Sequence, residues 1–337
     1  MQNNVFITGF AGMVGSHLAD YLYENTDYKI IGFLRWQDNL ENIEHFFEEI
    51  NKNERVELFY GDINDKNSID EALDKYKPKK VFHLAAQSYP LTSFTAPVET
   101  YNTNIIGTEN LLSSCKKYIP ESLIHICASS EVFGKVKKED LPIKEDTNFQ
   151  PASPYAISKI GTDLIGRFYA EAYNMKVITT RMFTHTGPRR GDVFAESSFA
   201  KQIAMIENNI IEPIIKVGNL DSLRTWSDVR DAVRAYHLLL SVNPIPGEYY
   251  NIGGDYTCSV GEMLNYLISL SSTTRKIDIV IDKNRLRPID ADLQVPDTTK
   301  FKNHTGWSPQ YSFENTMLDL LNYWRDKVKK NKMFLSR

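Results

Sequence analysis

The sequence predicts an α/β fold, a doubly wound parallel sheet followed by a smaller C-terminal α/β domain. Three observations carry that prediction. Short β-branched runs alternate with longer helical patterns through the first half of the 337-residue chain, as parallel sheets with helices on both faces require. A glycine-spaced turn joins the first run to the first helical pattern. After Arg181 the rhythm changes to longer loops rich in Gly and Pro, such as Gly187-Pro188-Arg189-Arg190-Gly191 and Gly218-Asn219.

The strand candidates are residues 5–8, 29–34, 56–60, 80–84, 123–128 and 177–181. Helical patterns lie between them at 14–24, 69–75, 98–117 and 155–173. Residues 249–254 read as a strand that returns to the first sheet, and 313–329 as an amphipathic helix near the end. The expected division places 1–184 plus about 225–253 in one domain, and 185–224 plus about 254–331 in the other.

Composition excludes several function classes. Hydrophobic residues at 42% and charged residues at 24% describe an ordinary globular protein with an ample core. The net charge of −4 is small and the basic residues are scattered, so no nucleic-acid partner is expected. The Lys-rich end (Lys327, Lys329, Lys330, Lys332) reads as a solvated tail. The chain enters the strand Val5-Phe6-Ile7 without a signal segment, and no apolar run approaches ~18 residues. Cys115, Cys127 and Cys258 are too scattered for a disulfide framework or a zinc site. A cytoplasmic protein with no membrane partner and no metal is the expectation.

The segment Val5-Phe6-Ile7-Thr8-Gly9-Phe10-Ala11-Gly12-Met13-Val14-Gly15 is a strand, a glycine turn and a helix start. Gly9 permits the tight turn and Gly12 lets backbone amides, including those of Met13 and Val14, approach a pyrophosphate. Gly15 allows close helix packing, and the helix N-terminus supplies partial positive charge. In a βαβ context this is a Rossmann-type dinucleotide site. The second strand ends Gly32-Phe33-Leu34-Arg35-Trp36, with no carboxylate for an adenosine ribose. Arg35 is placed to pair with a 2′-phosphate, which favours NADP over NAD. After the third strand, Asp62 and Ile63 stand where a carboxylate meets an adenine amino group, or where Asp62 simply caps a turn. Leu84, Ala85, Ala86 and Ser88 end the fourth strand with small residues that let a cofactor lie close.

Tyr155-Ala156-Ile157-Ser158-Lys159, preceded by Ser129 and Ser130, is the strongest chemical signal. Tyr155 and Lys159 stand at i and i+4 on a helix and share one face. The expectation is that the ammonium lowers the phenol pKa, so that Tyr155 accepts a proton at neutral pH. Ser129 then hydrogen-bonds the reacting hydroxyl.

With these motifs in place, the chain resembles the extended short-chain dehydrogenase/reductase family over nearly its whole length, and within it the GDP-mannose 4,6-dehydratases and other GDP-sugar-modifying relatives. The resemblance rests on Leu84-Ala85-Ala86-Gln87-Ser88, Ala128-Ser129-Ser130-Glu131-Val132-Phe133-Gly134 and Ser153-Pro154-Tyr155-Ala156. It rests also on His185-Thr186-Gly187-Pro188-Arg189-Arg190-Gly191 and Gly218-Asn219-Leu220-Asp221-Ser222-Leu223-Arg224. It implies that the loop holding His185, Arg189 and Arg190 lies near the cofactor and a subunit contact, in a homodimer or homotetramer. It implies that Arg224 and Arg287 hold a nucleotide diphosphate, with Ser88, Ser130, Glu131, Thr184 and Asn219 beside the substrate. The partner so implied is a nucleotide sugar, GDP-linked, destined for surface glycans of bacterial type. Two departures stand out: Thr184 replaces the usual Asn before His185, and Ser129 replaces Thr. The thymidine-diphosphate-glucose dehydratases are less similar, carrying Asp where this chain has Ser130.

Glu131 decides the reaction class. A 4,6-dehydratase oxidises C4, then needs a base for the acidified C5 proton and an acid for the departing C6 hydroxyl. One carboxyl group performs both tasks. Ser129 and Glu131, two apart at a strand end, are expected to point to the same face. The bland reading of Glu131 is a turn cap or a lysine partner. The rival enzymatic reading is a C4 dehydrogenase, epimerase or decarboxylase on the same scaffold; a rival of another class is a dinucleotide sensor without catalysis. The hexose and the base remain open at this point.

Overall fold

The computed structural model describes residues 3–330; residue 331, the far end of the expected second block, and Lys332 lie outside them. In chain order the strands are β1 (Asn4–Thr8), β2 (Lys29–Leu34), β3 (Val56–Tyr60), β4 (Lys80–His83), β5 (Leu123–Cys127), β6 (Val177–Met182), β7 (His185–Thr186), β8 (Ile214–Val217), β9 (Leu223–Asp228), β10 (Tyr249–Ile252), β11 (Tyr256–Ser259), β12 (Asp278–Ile281) and β13 (Leu293–Gln294). Seven of them form one sheet in the order β10-β6-β5-β4-β1-β2-β3, every pair parallel. The fold is therefore the Rossmann-type doubly wound sheet. The 249–254 segment does return to it, with Tyr249 opposite Thr179 on β6.

The β1 residues Val5, Phe6 and Ile7 are all fully buried, because helices cover both faces of the sheet. Val5 and Ile7 enter one core with Ile30, Leu34 and Tyr236. Phe6 enters the opposite core with Ile31, Leu111 and Ile124. This alternation follows from the period-2 pleat. The chain order reverses where β4 and β2 leave on either side of β1, and a crevice opens outside the strand C-termini at such a point.

One helix differs from its expectation. The single run over 98–117 is a helix Pro97–Tyr101, a π turn Asn102–Ile106 and a helix Gly107–Tyr118. The cause is local. The Asn104 carbonyl accepts from the hydroxyls of Thr108 (2.6 Å) and Thr162 (2.9 Å), so a side chain from a neighbouring helix inserts into the ladder.

The later residues build a second sheet, β11-β9-β13 with β7 also paired to β9, and a separate pair β12-β8. The helices Ala195–Glu207, Val260–Ser269 and Phe313–Lys330 pack with them around Phe199, Trp226, Leu264 and Trp324. β9 runs directly into the helix Val229–Leu239, whose Val229, Val233 and Tyr236 belong to the first core. Phe301 and Trp307 also enter that first core. The two parts thus share a wall, and a cleft lies between them.

Candidate active site

At the C-terminal end of β1 the chain turns through Gly9, whose φ is 70°. A Cβ at Gly9 would come within 2.8 Å of the Ala85 amide nitrogen, and one at Gly15 within 2.3 Å of the Gly9 carbonyl oxygen. Only glycine admits both the backbone conformation and the approach. The Thr8 hydroxyl accepts from the amides of Leu84 and Ala85, each at 3.1 Å, tying the end of β1 to the end of β4. The helix Met13–Asn25 starts at Gly12 with no side-chain cap and no acidic residue in its first turn. Its leading amides, at Met13 and Val14, and its positive end are therefore left for an anion. This cradle fits the pyrophosphate of a dinucleotide.

Along the same cleft β2 delivers Arg35. Contrary to the expectation of no carboxylate there, the following turn folds Asp38 back onto it, with Nε of Arg35 3.0 Å from Oδ1. The spacing points to the strand end, and the carboxylate arrives three residues after Arg35, from the turn. Asp62 accepts from the Asn64 amide at 2.9 Å, a turn cap, while its residue still lines the cleft beside Ile63.

β5 stops at Cys127, so Ser129 and Glu131 lie beyond the strand and are not placed by its pleat, contrary to expectation. Ser129 instead caps a short 3₁₀ turn, Ser130–Phe133, its hydroxyl accepting from the Glu131 amide at 3.2 Å. The cap, not strand alternation, brings the two side chains into one site. Tyr155 stands in the first turn of the helix Pro154–Tyr173, which Ser153 caps by accepting from the Ala156 amide. The Tyr155 amide donates to the Ser93 hydroxyl at 3.0 Å. One turn on, Lys159 donates from Nζ to the Cys127 carbonyl at 2.8 Å.

Burial, rather than the Lys159 ammonium expected to lower it, has the largest effect on the Tyr155 phenol in the chain itself. Burial pushes Tyr155 up, and the Ser129 hydroxyl and the Arg190 guanidinium pull it down by less. Burial likewise pushes the Lys159 ammonium down. The buried Asn104, which sequence reasoning missed, braces this region: its amide nitrogen donates to the Gln87 carbonyl (3.0 Å) and the Ser158 hydroxyl (2.8 Å). A π turn opposite a Tyr-Lys helix is its structural mark, and periodicity alone does not disclose one.

After β6, His185 donates from Nδ1 to the Phe183 carbonyl at 3.0 Å. Burial, reinforced by Arg190, holds its pKa down at about 4, so the ring is neutral with Nε2 as an acceptor. Arg190 donates to Glu196 at 3.0 Å and lies over the Phe194 ring, while Arg189 pairs with Asp20 at 2.7 Å. Both guanidiniums have carboxylate partners within the chain.

The far end of the cleft gathers Glu131, Asn219, Arg224 and Arg287. Oε1 of Glu131 lies 3.5 Å from Nη1 of Arg287 and 3.8 Å from Nη1 of Arg224. Neither a lysine nor a turn cap holds this carboxylate, since its amide and not its side chain enters the cap. Oε2 is buried with no hydrogen-bond partner. Asp290, also missed from the sequence, lies 3.4 Å from Arg287 and 3.7 Å from Arg224, and accepts from Asn219 at 3.3 Å. A carboxylate three residues after Arg287 is its sequence signal, in the stretch that leads into β13, whose Gln294 pairs with Arg224 on β9.

All the candidate residues, Ser88, Ser130 and Thr184 included, line one cleft of about 950 Å³. Glycine turn, Tyr-Lys pair and arginine end are therefore continuous. Among the described residues no helix is long and apolar enough to cross a membrane, and no group of His, Cys, Asp or Glu is arranged to hold a metal ion.

Comparison with known proteins agrees with this geometry. Residues 6–320 match the family described as GDP-mannose 4,6 dehydratase. The GDP-mannose 4,6 dehydratase of Drosophila melanogaster is 30% identical over 348 residues, covering 96% of this chain and 87% of that protein. The solved structure of RMD from Pseudomonas aeruginosa, complexed with NADPH, is 26% identical with a TM-score of 0.82, covering 97% of this chain and 100% of that one. The dTDP-glucose 4,6-dehydratase from Bacillus anthracis, in complex with NAD, is 26% identical with a TM-score of 0.84 and 98% coverage of both chains.

Proposed function

The chain belongs to the GDP-mannose 4,6-dehydratase family, and on that premise we propose that it is an NADP-dependent GDP-hexose 4,6-dehydratase yielding a GDP-4-keto-6-deoxy sugar. The observation that carries the reading is Glu131, buried beside Arg224 and Arg287 with one oxygen unpartnered in the same cleft as Tyr155. A redox-only relative needs no such carboxylate.

In this reading Gly9, Gly12 and Gly15, with the amides of Met13 and Val14, hold the cofactor pyrophosphate. Arg35 would meet the 2′-phosphate, Asp62 and Ile63 would flank the adenine, and Leu84, Ala85, Ala86 and His185 would line the nicotinamide side. Bound there, NADP would supply the hydride chemistry that no side chain can, taking hydride from C4 and giving it back at C6. Tyr155 takes the proton of the C4 hydroxyl while Ser129 hydrogen-bonds that oxygen. Lys159, fixed on the Cys127 carbonyl, and the positive charge of an oxidised nicotinamide would together offset the burial that raises the phenol. Glu131 then removes the C5 proton and passes it to the departing C6 hydroxyl, which leaves as water. Arg224 and Arg287 exchange their loose carboxylate contacts for the diphosphate, and Asn219, Ser88, Ser130 and Thr184 flank the sugar. Arg190, neutralised by Glu196, shapes the wall next to Tyr155. As the hydride returns to C6, C5 takes up one proton from solvent and Tyr155 gives up the one it took from the C4 hydroxyl, so the net change is the loss of one water with the cofactor unchanged.

We further propose a homodimer or homotetramer working in the cytoplasm. The three cysteines are unpaired, and the helix Pro154–Tyr173 presents Ile157, Leu164 and Phe168 to solvent at 43–54% exposure. Incubating the purified protein with GDP-, UDP- and CDP-hexoses and reading product masses tests the reaction. A GDP-hexose lighter by one water is the expected product. An unchanged mass would point to an epimerase, and loss of two hydrogens to a dehydrogenase.

A further inference from the structure

Arg35 reaches the cofactor end of the cleft already engaged. Its Nε lies 3.0 Å and its Nη2 2.8 Å from Oδ1 of Asp38, while Oδ2 of Asp38 accepts from the Arg35 amide at 2.9 Å. The turn is closed by the Asp38 amide donating to the Arg35 carbonyl at 3.1 Å. Next to it, the Asn42 amide nitrogen donates to the Ala11 carbonyl at 2.9 Å. That bond anchors this segment over the glycine turn. Both side chains line the cleft, with 53% of the Arg35 side chain and 23% of the Asp38 side chain exposed.

The two cofactor types place opposite demands on this position. A 2′-phosphate is a doubly ionisable ester that seeks an uncompensated guanidinium, and a neighbouring carboxylate repels it. A free ribose 2′-hydroxyl is a donor that seeks a carboxylate. The Arg35–Asp38 pair offers both groups, each partly neutralised by the other.

We propose that Asp38 is a specificity-determining residue: it attenuates the NADP preference conferred by Arg35 and lets the same cleft bind NAD. The proposal rests on reading the cleft as a dinucleotide site and goes beyond it by assigning the selectivity to one carboxylate. It needs no turnover to be tested.

Calorimetric titration of the full-length wild type, D38N and D38S with NADP and separately with NAD reads the two dissociation constants on each protein. Serine keeps an acceptor for the Arg35 amide, so the second variant separates charge from turn geometry. The ratio of the two constants is insensitive to a partly unfolded preparation. In the wild type the two constants are expected within about tenfold of one another. D38N and D38S should each tighten NADP by about 3–10-fold and weaken NAD by a similar factor, as for a partly exposed charged contact. A variant that weakens NADP would show that Asp38 serves only to orient Arg35, and an unchanged ratio would show it to be a turn cap; either overturns the proposal. Wild-type protein that binds neither dinucleotide would overturn the underlying reading of the cleft, and the proposal with it.

Discussion

Nη1 of Arg287 stands 3.5 Å from Oε1 of Glu131, joining the arginine end of the cleft to the carboxylate proposed to do the elimination. The contact is longer than a good charge-assisted hydrogen bond, so the guanidinium is free to exchange it for a better anion. Arg287→Ala should weaken GDP-sugar binding by about 10–100-fold, the range for charged hydrogen bonds, and leave NADP binding unchanged. Calorimetry with each ligand checks this. Equal losses for both ligands would place Arg287 in the fold rather than in the site.

The glycine turn makes a prediction of a different kind. Gly15→Ala would set a Cβ 2.3 Å from the Gly9 carbonyl and 2.8 Å from that of Phe10, and backbone atoms there have no room to retreat. The variant should lose about 1–3 kcal/mol of stability together with dinucleotide binding, read by urea unfolding and by titration. A stable protein with full affinity would mean that the turn relaxes freely.

Much of this was legible beforehand, and the misses share a cause. Strands β1 to β6 and the returning β10 are short runs rich in apolar and β-branched residues, of the kind a parallel sheet covered on both faces demands, and the Gly9, Gly12 and Gly15 spacing locates the cleft. Tyr155 and Lys159 follow from helical spacing because Ser153-Pro154 marks the helix start. The missed features depend on what arrives from elsewhere in the chain. Asn104 breaks a helix because Thr162 supplies a competing hydroxyl, and Asp290 matters because it lies 3.7 Å from Arg224 and 3.4 Å from Arg287. Glu131 was nominated for its chemistry, but its placement came from the Ser129 cap rather than from strand alternation. Lys159 was expected to tune Tyr155, yet burial dominates the phenol. Spacing reports faces of elements; it does not report desolvation.

Acid should destabilise this protein well above the carboxylate range. Burial is the main cause holding His17, His185 and His237 at about 4, and His83 and His125 at about 3, against an ordinary 6.5. Between pH 6.5 and about 4 each imidazole binds a proton when unfolded and not when folded, so stability rises with pH in that window and is lost as pH falls. The urea midpoint should drop clearly from pH 7 to pH 5, with several protons taken up on unfolding. A midpoint independent of pH over that interval would contradict the neutral, buried assignment.

Assembly is tested by mass. Ile157, Leu164 and Phe168 recur at spacings of 7 and 4 along one helix face, and Val98 is 67% exposed on another helix packed against it. Light scattering should give a multiple of the 38.7 kDa chain, and Leu164→Glu with Phe168→Glu should shift it toward the monomer. A monomeric wild type at micromolar concentration would contradict the proposed oligomer.

Glu131 decides between elimination and redox chemistry alone, and single-turnover mixing of Glu131→Gln with GDP-hexose in the NADP-loaded enzyme tests that role most directly. Oxidation at C4 uses Tyr155, Ser129 and Lys159, and elimination uses Glu131, so the variant should separate the two. Reduced cofactor should accumulate, seen in the near ultraviolet, while loss of water slows by about 10²–10⁴-fold, the usual effect of removing a positioned acid–base group. Tyr155→Phe should give neither signal. A Glu131→Gln enzyme that releases the dehydrated product at near wild-type rate would contradict the central claim and leave that carboxylate as a partner for Arg224 and Arg287 alone.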